Sequence, residues 1–351
     1  MIRIAINGFG RIGKNFLRVL MSDKSARESI ELVAINVGPG ILDSVACAVK
    51  YDSLMGTFVG EVHQDNDVLV VTPGNFSGSV TTGNTGDDVC RIQLFAERDP
   101  EKLPWKSLKV DWVVECSGHF TSRDGAQKHL QAGAQAVLIS APAKGEDINI
   151  IPGVNDAAFK KELHKIVSLG SCTTNAFMPM LKVLNDAFSL EHAVMTTIHA
   201  YTNTQVLLDV DGEDARRSRA AALNIIPTST GAQKMLESVL PELAGRVQAV
   251  ALRVPVAKVS LIDLTVMTKK TLTRQTINSA FLQAARGQMK NIVSVTNEPL
   301  VSTDFGGNSH SVIIDSLLTD VCGDRVGKVF GWYDNEWGYS VRLKDFLLRV
   351  C

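Results

Sequence analysis

The sequence lacks the cysteine patterns that mark disulfide-rich and zinc-binding proteins. Its 351 residues include six cysteines, with no CxxC pair and no zinc-finger spacing to histidine. A chain of this length can bury a large core without cross-links. We therefore expect neither a disulfide framework nor a metal site.

Long apolar runs and an excess of one charge are also missing. No stretch approaches the ~20 apolar residues of a membrane helix, and residues 1–7 are predicted as a first strand, not a signal peptide. Lys and Arg number 36 against 37 Asp and Glu, a net charge of −1. We expect a cytoplasmic protein with no general affinity for membranes or nucleic acid, in which any anion site is local.

The first half of the chain has the pattern of a doubly wound sheet. A β-branched run over 2–6 leads into glycines, a helical pattern over 11–21 and a second strand over 31–36. Apolar runs at 111–116 and 136–139 predict further parallel strands. The fold class indicated is an α/β Rossmann domain.

After residue 171 the pattern changes to long β-rich runs with fewer helices between them. These runs predict a second, α+β domain with a mixed or antiparallel sheet, and they cover residues 193–198, 247–254, 259–269 and 312–317. Residues 335–350 have apolar positions at helical spacing and predict a C-terminal helix. Residues 73–88 are rich in Gly, Ser, Thr and Asn, which indicates an exposed loop.

A glycine motif, Gly8-Phe9-Gly10-Arg11-Ile12-Gly13, stands between the first strand and the first helix. In this βαβ context it predicts dinucleotide binding, because glycines let the backbone approach a pyrophosphate and the helix N-terminus faces that anion. Arg11 could add a full charge. The motif is also compatible with an ordinary glycine turn that packs a helix on a strand.

The acid that usually follows the second strand and binds the adenosine ribose is absent. Val37 follows Asn36, and the next acid is Asp43. An acid there would repel a 2′-phosphate, so its absence predicts that the chain accepts NADP, alone or alongside NAD. The alternative, that NAD binds well without this acid, stays open.

Cys172 and His199 are the candidate catalytic pair. Cys172, in the string SCTTN, opens a predicted helix, where the helix end would lower the thiol pKa. A thiolate needs a base, and His199 ends a strand-like run. The alternatives are a small buried cap residue and a hydrogen-bonded core histidine.

Arginine and hydroxyl residues farther along the chain suit phosphate oxygens. Arg216, Arg217 and Arg219 lie in a polar segment, Arg253 follows a strand, and residues 228–231 open a predicted helix. Taken alone, a residue of this kind is more often an ordinary solvated surface group.

Taken together, these residues resemble the phosphorylating glyceraldehyde-3-phosphate dehydrogenase family. The matching strings run over the whole chain in the family's order: INGFGRIGKN (6–15), KYDS (50–53), SAPAKGED (140–147), SCTTN (171–175), TTIHAYTNTQ (196–205), RRSRAA (216–221), NIIPTSTGAQK (224–234), RVPVAKVSLIDLT (253–265) and WYDNEWGYS (332–340). The combination of SCTTN, HAYT and WYDNEWGY is far more specific than the glycine motif alone.

The resemblance implies a thioester mechanism. Cys172 would attack the aldehyde, His199 would act as base, hydride would pass to NAD or NADP, and inorganic phosphate would release an acyl phosphate. The implied partners are thus a small-molecule substrate and inorganic phosphate. The family is also homotetrameric, with residues 200–225 at the subunit interface.

The resemblance further assigns binding roles. For the substrate phosphate these are Thr202 and Arg253, and for the attacking phosphate Ser171, Thr173, Thr230 and Gly231, with Arg217 nearby. For the dinucleotide they are Gly8, Gly10, Arg11, Ile12, Gly13, Arg98, Ser117, Ser140 and Asn335. The implied domains are 1–171, completed by the C-terminal helix 335–351, for the dinucleotide, and 172–334 for catalysis.

Two departures and three rival functions remain. Val37 replaces the acid of NAD-type members, which favours NADP, whereas Asp211 would oppose a 2′-phosphate if it lay nearby, so cofactor selectivity stays open. Erythrose-4-phosphate dehydrogenase also has SCTTN, but this chain keeps Tyr201 and Thr202 after the histidine. A non-catalytic nucleotide-binding protein would not need both Cys172 and His199, and a cysteine hydrolase would not need the dinucleotide motif.

Overall fold

The structure is a computed structural model, and it describes residues 1–74 and 89–351. The predicted loop over 73–88 therefore lies outside the described residues, apart from its first two positions. Among the described helices, none is both long and apolar enough to span a bilayer.

The chain divides into two compact units. The first consists of Met1–Asn149, Phe159–Leu169 and Ser340–Cys351, and the second of Ile150–Ala158 and Gly170–Tyr339. The predicted boundaries of the dinucleotide and catalytic domains stay a prediction, since the division by contacts assigns no function.

The first unit is built on a largely parallel sheet. Its elements are β1 (Ile2–Asn7), α1 (Arg11–Ser22), α2 (Lys24–Ser29), β2 (Ile30–Asn36), α3 (Val45–Lys50), β3 (Tyr51–Asp52), β4 (Gly56–Thr57), β5 (Gly60–Asp65), β6 (Val68–Pro73), β7 (Cys90–Phe95), β8 (Trp112–Glu115), α4 (Arg123–Gln131), β9 (Ala136–Ile139), β10 (Ile148–Asn149) and β11 (Ile166–Ser168). Within the described residues the sheet has nine strands in the order β10-β11-β9-β8-β1-β2-β7-β6-β5. The strands from β10 to β7 are parallel, and β6 and β5 add an antiparallel edge.

Burial explains why the central strands form where they do. Apart from Arg3 and the terminal Asn7 and Glu115, β1, β8 and β9 consist of apolar residues, and strands with both faces covered need no polar alternation. Because these strands are parallel, their carboxyl ends meet at one edge of the sheet. Ligands of open α/β sheets bind at that edge.

The second unit contains a mixed sheet. Its elements are α5 (Cys172–Phe188), β12 (Leu190–Ala200), β13 (Ile226–Thr228), α6 (Ala232–Val239), β14 (Val247–Val254), β15 (Ser260–Thr268), α7 (Arg274–Arg286), β16 (Val293–Thr296), β17 (Val312–Asp315), β18 (Asp320–Cys322), β19 (Val326–Tyr333) and the start of α8 (Trp337–Val350). The strand order is β13-β14-β12-β15-β19-β17-β16, with β18 paired to β19. Helices α5, α6 and α7 pack their apolar residues on this sheet, and the core lies between them.

The predicted fold class is confirmed, with small shifts at element ends. The clearest shift is in the last helix, which begins at Trp337 and not at residue 335. The carboxylate of Asp334 accepts hydrogen bonds from the backbone N–H groups of Glu336 and Trp337, so this turn precedes the helix.

Candidate active site

A cavity of about 610 Å³ lies at the carboxyl edge of the parallel sheet in the first unit. It is lined by Asn7, Gly8, Phe9, Gly10, Asn36, Val37, Gly38, Pro39, Glu97, Arg98, Cys116, Ser117, His119 and Phe120. These residues follow the ends of β1, β2, β7 and β8. The position is the one expected for a dinucleotide site in a doubly wound sheet.

The glycine motif shapes one wall of this cavity for steric reasons. Gly8 has φ +90°, and a Cβ there would lie 2.3 Å from the backbone nitrogen of Ser117. A Cβ on Gly13 would lie 2.3 Å from the carbonyl oxygen of Gly8. Gly10 caps α1 and makes no side-chain hydrogen bond to it. The first N–H groups of α1 are therefore not occupied by a capping side chain, which suits an anionic pyrophosphate.

The predicted cofactor residues separate into two groups. Gly8, Gly10, Arg98 and Ser117 line the cavity, whereas Arg11, Ile12, Gly13 and Ser140 do not, and Asn335 belongs to the second unit.

The Arg11 side chain forms an ion pair with Asp52, and its role at the pyrophosphate stays a prediction. Burial raises the pKa of Asp52, but hydrogen bonds from Arg11 and from the N–H groups of Met55 and Leu54 outweigh it and lower the pKa to about 2.

Charge in the cavity comes from the loop that follows β7. Val37 lines the cavity at the end of β2, and the charged lining residues among those described are Glu97 and Arg98. Sequence reasoning missed Glu97, although it directly precedes the predicted Arg98. It also missed Asn7 and Asn36, whose signal was their position at the ends of predicted strands.

Cys172 is the first residue of α5 in the second unit. The side-chain oxygen of Ser171 accepts a hydrogen bond from the Thr174 N–H, and the Thr174 hydroxyl in turn bonds the Ser171 backbone, forming a capping box. The capping box fixes the start of the helix at Ser171, so that Cys172 lies at the helix N-terminus, as the sequence predicted.

The thiol of Cys172 lies beside an imidazole. Its Sγ is 3.5 Å from Nε2 of His199, which is buried near the end of β12. Nδ1 of His199 lies 2.6 Å from the Ala200 carbonyl oxygen, which can only accept. Nη1 of Arg253, which can only donate, contacts the same Nδ1, so the two contacts favour opposite tautomers, and Nε2 is the ring nitrogen that faces the thiol.

The pKa of His199 is shifted strongly downward. Burial lowers it to about 3, the charge of Arg253 adds to this, and the Ala200 carbonyl opposes it. Nη1 of Arg253 lies 2.5 Å from Nδ1 and donates to the same Ala200 carbonyl at 3.0 Å. His199 is therefore a neutral imidazole near pH 7.

The predicted lowering of the Cys172 pKa is wrong for this structure. Burial raises the pKa of the thiol, and it outweighs the opposing charge of Arg253 and the hydrogen bonds of Thr173. The structure thus presents a thiol next to a neutral base, so proton transfer to His199 has to accompany formation of the nucleophile.

Arg253 has an unfilled donor in this site. Its Nε is buried and makes no hydrogen bond within the described part of the chain. A buried guanidinium with a spare donor suits an anion. Burial lowers the pKa of Arg253, and the positive charge of Arg217 adds to this lowering.

Several of the other predicted phosphate-binding residues already bond to protein groups. Arg217 Nε donates to Asp214 at 2.6 Å, and the Thr202 hydroxyl lies 2.9 Å from that of Thr204. The Thr230 hydroxyl accepts from the Ala232 N–H at the start of α6. Gly231 caps the same helix without a side-chain bond.

Tyr333 is a site residue that sequence reasoning missed. Its hydroxyl is buried and lies 2.9 Å from the Thr173 hydroxyl and 2.8 Å from that of Thr197. Its ring packs edge-on against His199, with centroids 5.9 Å apart. The available signal was its place in the string WYDNEWGYS.

Comparison with known proteins covers both units. The family description "Glyceraldehyde 3-phosphate dehydrogenase, NAD binding domain" matches residues 2–123, and "Glyceraldehyde 3-phosphate dehydrogenase, C-terminal domain" matches residues 171–335.

Curated relatives match along the full chain. "Glyceraldehyde-3-phosphate dehydrogenase 2" of Bacillus subtilis is 44% identical over 350 residues, covering 100% of this chain and 97% of the relative. "Glyceraldehyde-3-phosphate dehydrogenase" of Priestia megaterium is 46% identical, covering 100% and 98%. "Glyceraldehyde-3-phosphate dehydrogenase GAPB, chloroplastic" of Arabidopsis thaliana is 46% identical, covering 100% and 75%. The chain belongs to the glyceraldehyde-3-phosphate dehydrogenase family.

Proposed function

We propose that this chain oxidises D-glyceraldehyde 3-phosphate to 1,3-bisphosphoglycerate, with inorganic phosphate as co-substrate and NAD or NADP as hydride acceptor. The observation that carries the proposal is the Cys172 thiol, 3.5 Å from Nε2 of His199, whose Nδ1 contacts the cationic Arg253. In a dehydrogenase of this family, the reaction would serve both glycolysis and gluconeogenesis.

The geometry supports a sequence of proton transfers through one imidazole. Nε2 of His199 takes the thiol proton as the Cys172 sulfur bonds the aldehyde carbon, and the proton passes to the carbonyl oxygen to give a hemithioacetal. His199 then accepts the hydroxyl proton as hydride leaves. A bound nicotinamide dinucleotide supplies the hydride acceptor.

The remaining step transfers the acyl group. A phosphate oxygen attacks the thioester carbon, the C–S bond breaks, and the proton held by His199 returns to the sulfur. Arg253 is proposed to hold the substrate phosphate with Thr202, because its buried Nε lacks a partner among the described residues. The attacking phosphate is assigned to Ser171, Thr173, Thr230 and Gly231, with Arg217 released from Asp214.

The cofactor assignment rests on the first unit. Its cavity suits a dinucleotide, and we propose that Gly8, Gly10, Arg98 and Ser117 bind there, with the N-terminal backbone of α1 facing the pyrophosphate. With Val37 in place of an acid, the opposed charges of Glu97 and Arg98 remain to discriminate a ribose hydroxyl from a 2′-phosphate. The predicted roles of Ser140 and Asn335 stay predictions.

A homotetramer is proposed for the assembly. Large apolar side chains between residues 200 and 225 are exposed in the single chain: Leu207 (86%), Leu208 (74%), Leu223 (78%) and Ile225 (67%). Large apolar side chains exposed in one segment favour burial by another subunit. Analytical ultracentrifugation should give a mass four times 38.0 kDa, and a monomer would contradict the assignment.

The cytoplasm is the proposed compartment. All six cysteines of the sequence are free thiols, which suits a reducing environment.

The activity is tested by following reduced nicotinamide at 340 nm with glyceraldehyde 3-phosphate, in the presence and absence of phosphate. We expect phosphate-dependent turnover, with NAD and NADP compared separately. Cys172→Ser should lower kcat at least 10³-fold and leave dinucleotide binding intact, whereas Cys322→Ser, at an exposed cysteine, should retain activity.

Two outcomes would contradict the proposal. A higher kcat/KM with erythrose 4-phosphate would move the assignment to that four-carbon sugar. Dinucleotide binding with no turnover of either aldehyde would indicate a binding protein.

A further inference from the structure

A largely buried belt of polar side chains joins the carboxyl ends of parallel strands in the first unit to residues packed behind them. We call it the polar belt, and it consists of Trp105, His129, Glu115, Ser117, Asn7 and Asn36. Three of these residues, Asn7, Asn36 and Ser117, line the dinucleotide cavity. Trp105 and His129 do not line it, and both are fully buried.

Glu115, the last residue of β8, is the centre of the belt. One of its carboxylate oxygens accepts from the Asn7 side chain at 2.6 Å and lies 3.1 Å from His129 Nε2. The other accepts from both the backbone N–H and the hydroxyl of Ser117. A buried carboxylate needs this full set of donors, because each missing one leaves an oxygen desolvated without compensation.

The orientation of His129 is determined by Trp105. The indole nitrogen of Trp105 lies 3.1 Å from Nδ1 of His129, and an indole N–H can only donate. Nδ1 therefore carries the lone pair, and the hydrogen of the neutral ring is on Nε2. That hydrogen points at Glu115, so the Trp105 contact selects the tautomer that serves the carboxylate.

The belt continues on the other side of Glu115. The Asn36 side chain donates to the Asn7 side chain at 2.7 Å and to the Glu97 carbonyl at 2.9 Å, and it accepts from the Glu97 N–H at 2.9 Å. Each amide has one orientation that satisfies these contacts. The ends of β1, β2, β7 and β8 are thereby tied together beneath the cavity.

The same histidine also contacts the cavity wall directly. The ring of Phe120, which lines the cavity, packs edge-on against His129 with centroids 6.1 Å apart. The Ser117 hydroxyl accepts from the His119 N–H at 3.1 Å while it donates to Glu115. His129 thus supports the loop of residues 117–120 through a hydrogen-bond chain and through a ring contact.

We propose that Trp105 and His129 are positioning residues for the dinucleotide cavity. They act from beneath it, through Glu115, by holding the loop of residues 117–120 and the strand ends in the geometry that binds the cofactor. The inference rests on the proposed function only in taking this cavity as the NAD or NADP site.

The test is calorimetric binding of NAD and NADP to the full chain, together with steady-state kinetics. His129→Leu leaves one Glu115 oxygen short of a donor, and we expect the Kd and KM for the dinucleotide to rise roughly tenfold. The KM for the aldehyde, and kcat at saturating dinucleotide, should stay within about twofold. Trp105→Phe, which removes only the indole donor, should shift the Kd in the same direction by less.

Two further variants separate positioning from general stability. His129→Gln retains a donor and an acceptor at the required ends, so it should restore most of the affinity. Leu32→Ala removes core volume near the start of β2, away from the cavity, and should lower Tm without changing Kd.

An unchanged Kd in both His129→Leu and Trp105→Phe would overturn the proposal. So would an equal rise in Kd for Leu32→Ala. If the wild-type chain binds NAD or NADP but turns over no aldehyde, only the proposed reaction fails, and the binding comparison still decides the role of the belt.

Discussion

Acidification to pH 5 should destabilise this protein through His199. Burial and the charge of Arg253 lower the pKa of this imidazole to about 3, from an ordinary value of 6.5. In the unfolded chain the ring regains its ordinary pKa, so between pH 6.5 and 3 the unfolded state binds more protons. Stability is therefore lost as the pH falls below 6.5.

The loss of stability at pH 5 depends little on the value of the His199 pKa in the folded state. With a pKa near 6.5 unfolded and near 3 folded, His199 contributes a loss of about 2 kcal/mol in the free energy of unfolding between pH 8 and pH 5. For a protein of ordinary stability this is a large fraction of the total. The variant His199→Asn does not titrate in this range, so it should lack this part of the loss.

The assay is urea unfolding of the wild type and of His199→Asn at both pH values. The other six histidines and all carboxylates are common to the two proteins, so their contributions cancel in the comparison. We expect the wild type to lose about 2 kcal/mol more than the variant. Equal losses, or an NMR titration of His199 with a midpoint above pH 5, would refute the assignment of a buried neutral base.

Two further predictions concern buried polar contacts. Tyr333→Phe removes the hydroxyl shared by Thr173 and Thr197, so the free energy of unfolding should fall by about 1–3 kcal/mol, and an unchanged urea midpoint would argue against the contact. Asp52→Asn should cost about 2 kcal/mol at pH 7, because hydrogen bonds from Arg11, Met55 and Leu54 outweigh the effect of burial and hold the Asp52 pKa near 2. That difference should shrink as the pH falls from 4 towards 2, and a difference that persists at pH 2 would show another origin.

The chain's own pattern was sufficient to predict the architecture. Continuous apolar strands separated by a glycine turn and a helix indicate a parallel sheet, because only a sheet covered on both faces needs such runs. The strings around Cys172 and His199 were equally informative, since the residue types themselves carry the chemistry. The family comparison agrees with the predicted architecture and with the strings around Cys172 and His199.

The sequence was less informative about ionisation. A cysteine at a helix N-terminus predicts a lowered pKa, yet burial of Cys172 reverses the direction. The sequence also could not show that Arg11 pairs with Asp52, which is distant in sequence. Both outcomes depend on how much solvent and which charges surround a group, and local sequence contains neither.

The local elements were thus determined by the sequence alone: the glycine turn, the capped helix that presents Cys172, and the strand that ends near His199. Tertiary structure decided which groups meet. It brought Sγ of Cys172 to Nε2 of His199, and it joined Trp105, His129 and Glu115 from separate elements into one belt. The physical reason is that periodicity and capping are short-range, whereas tautomers, pKa values and buried hydrogen bonds depend on partners that only chain packing supplies.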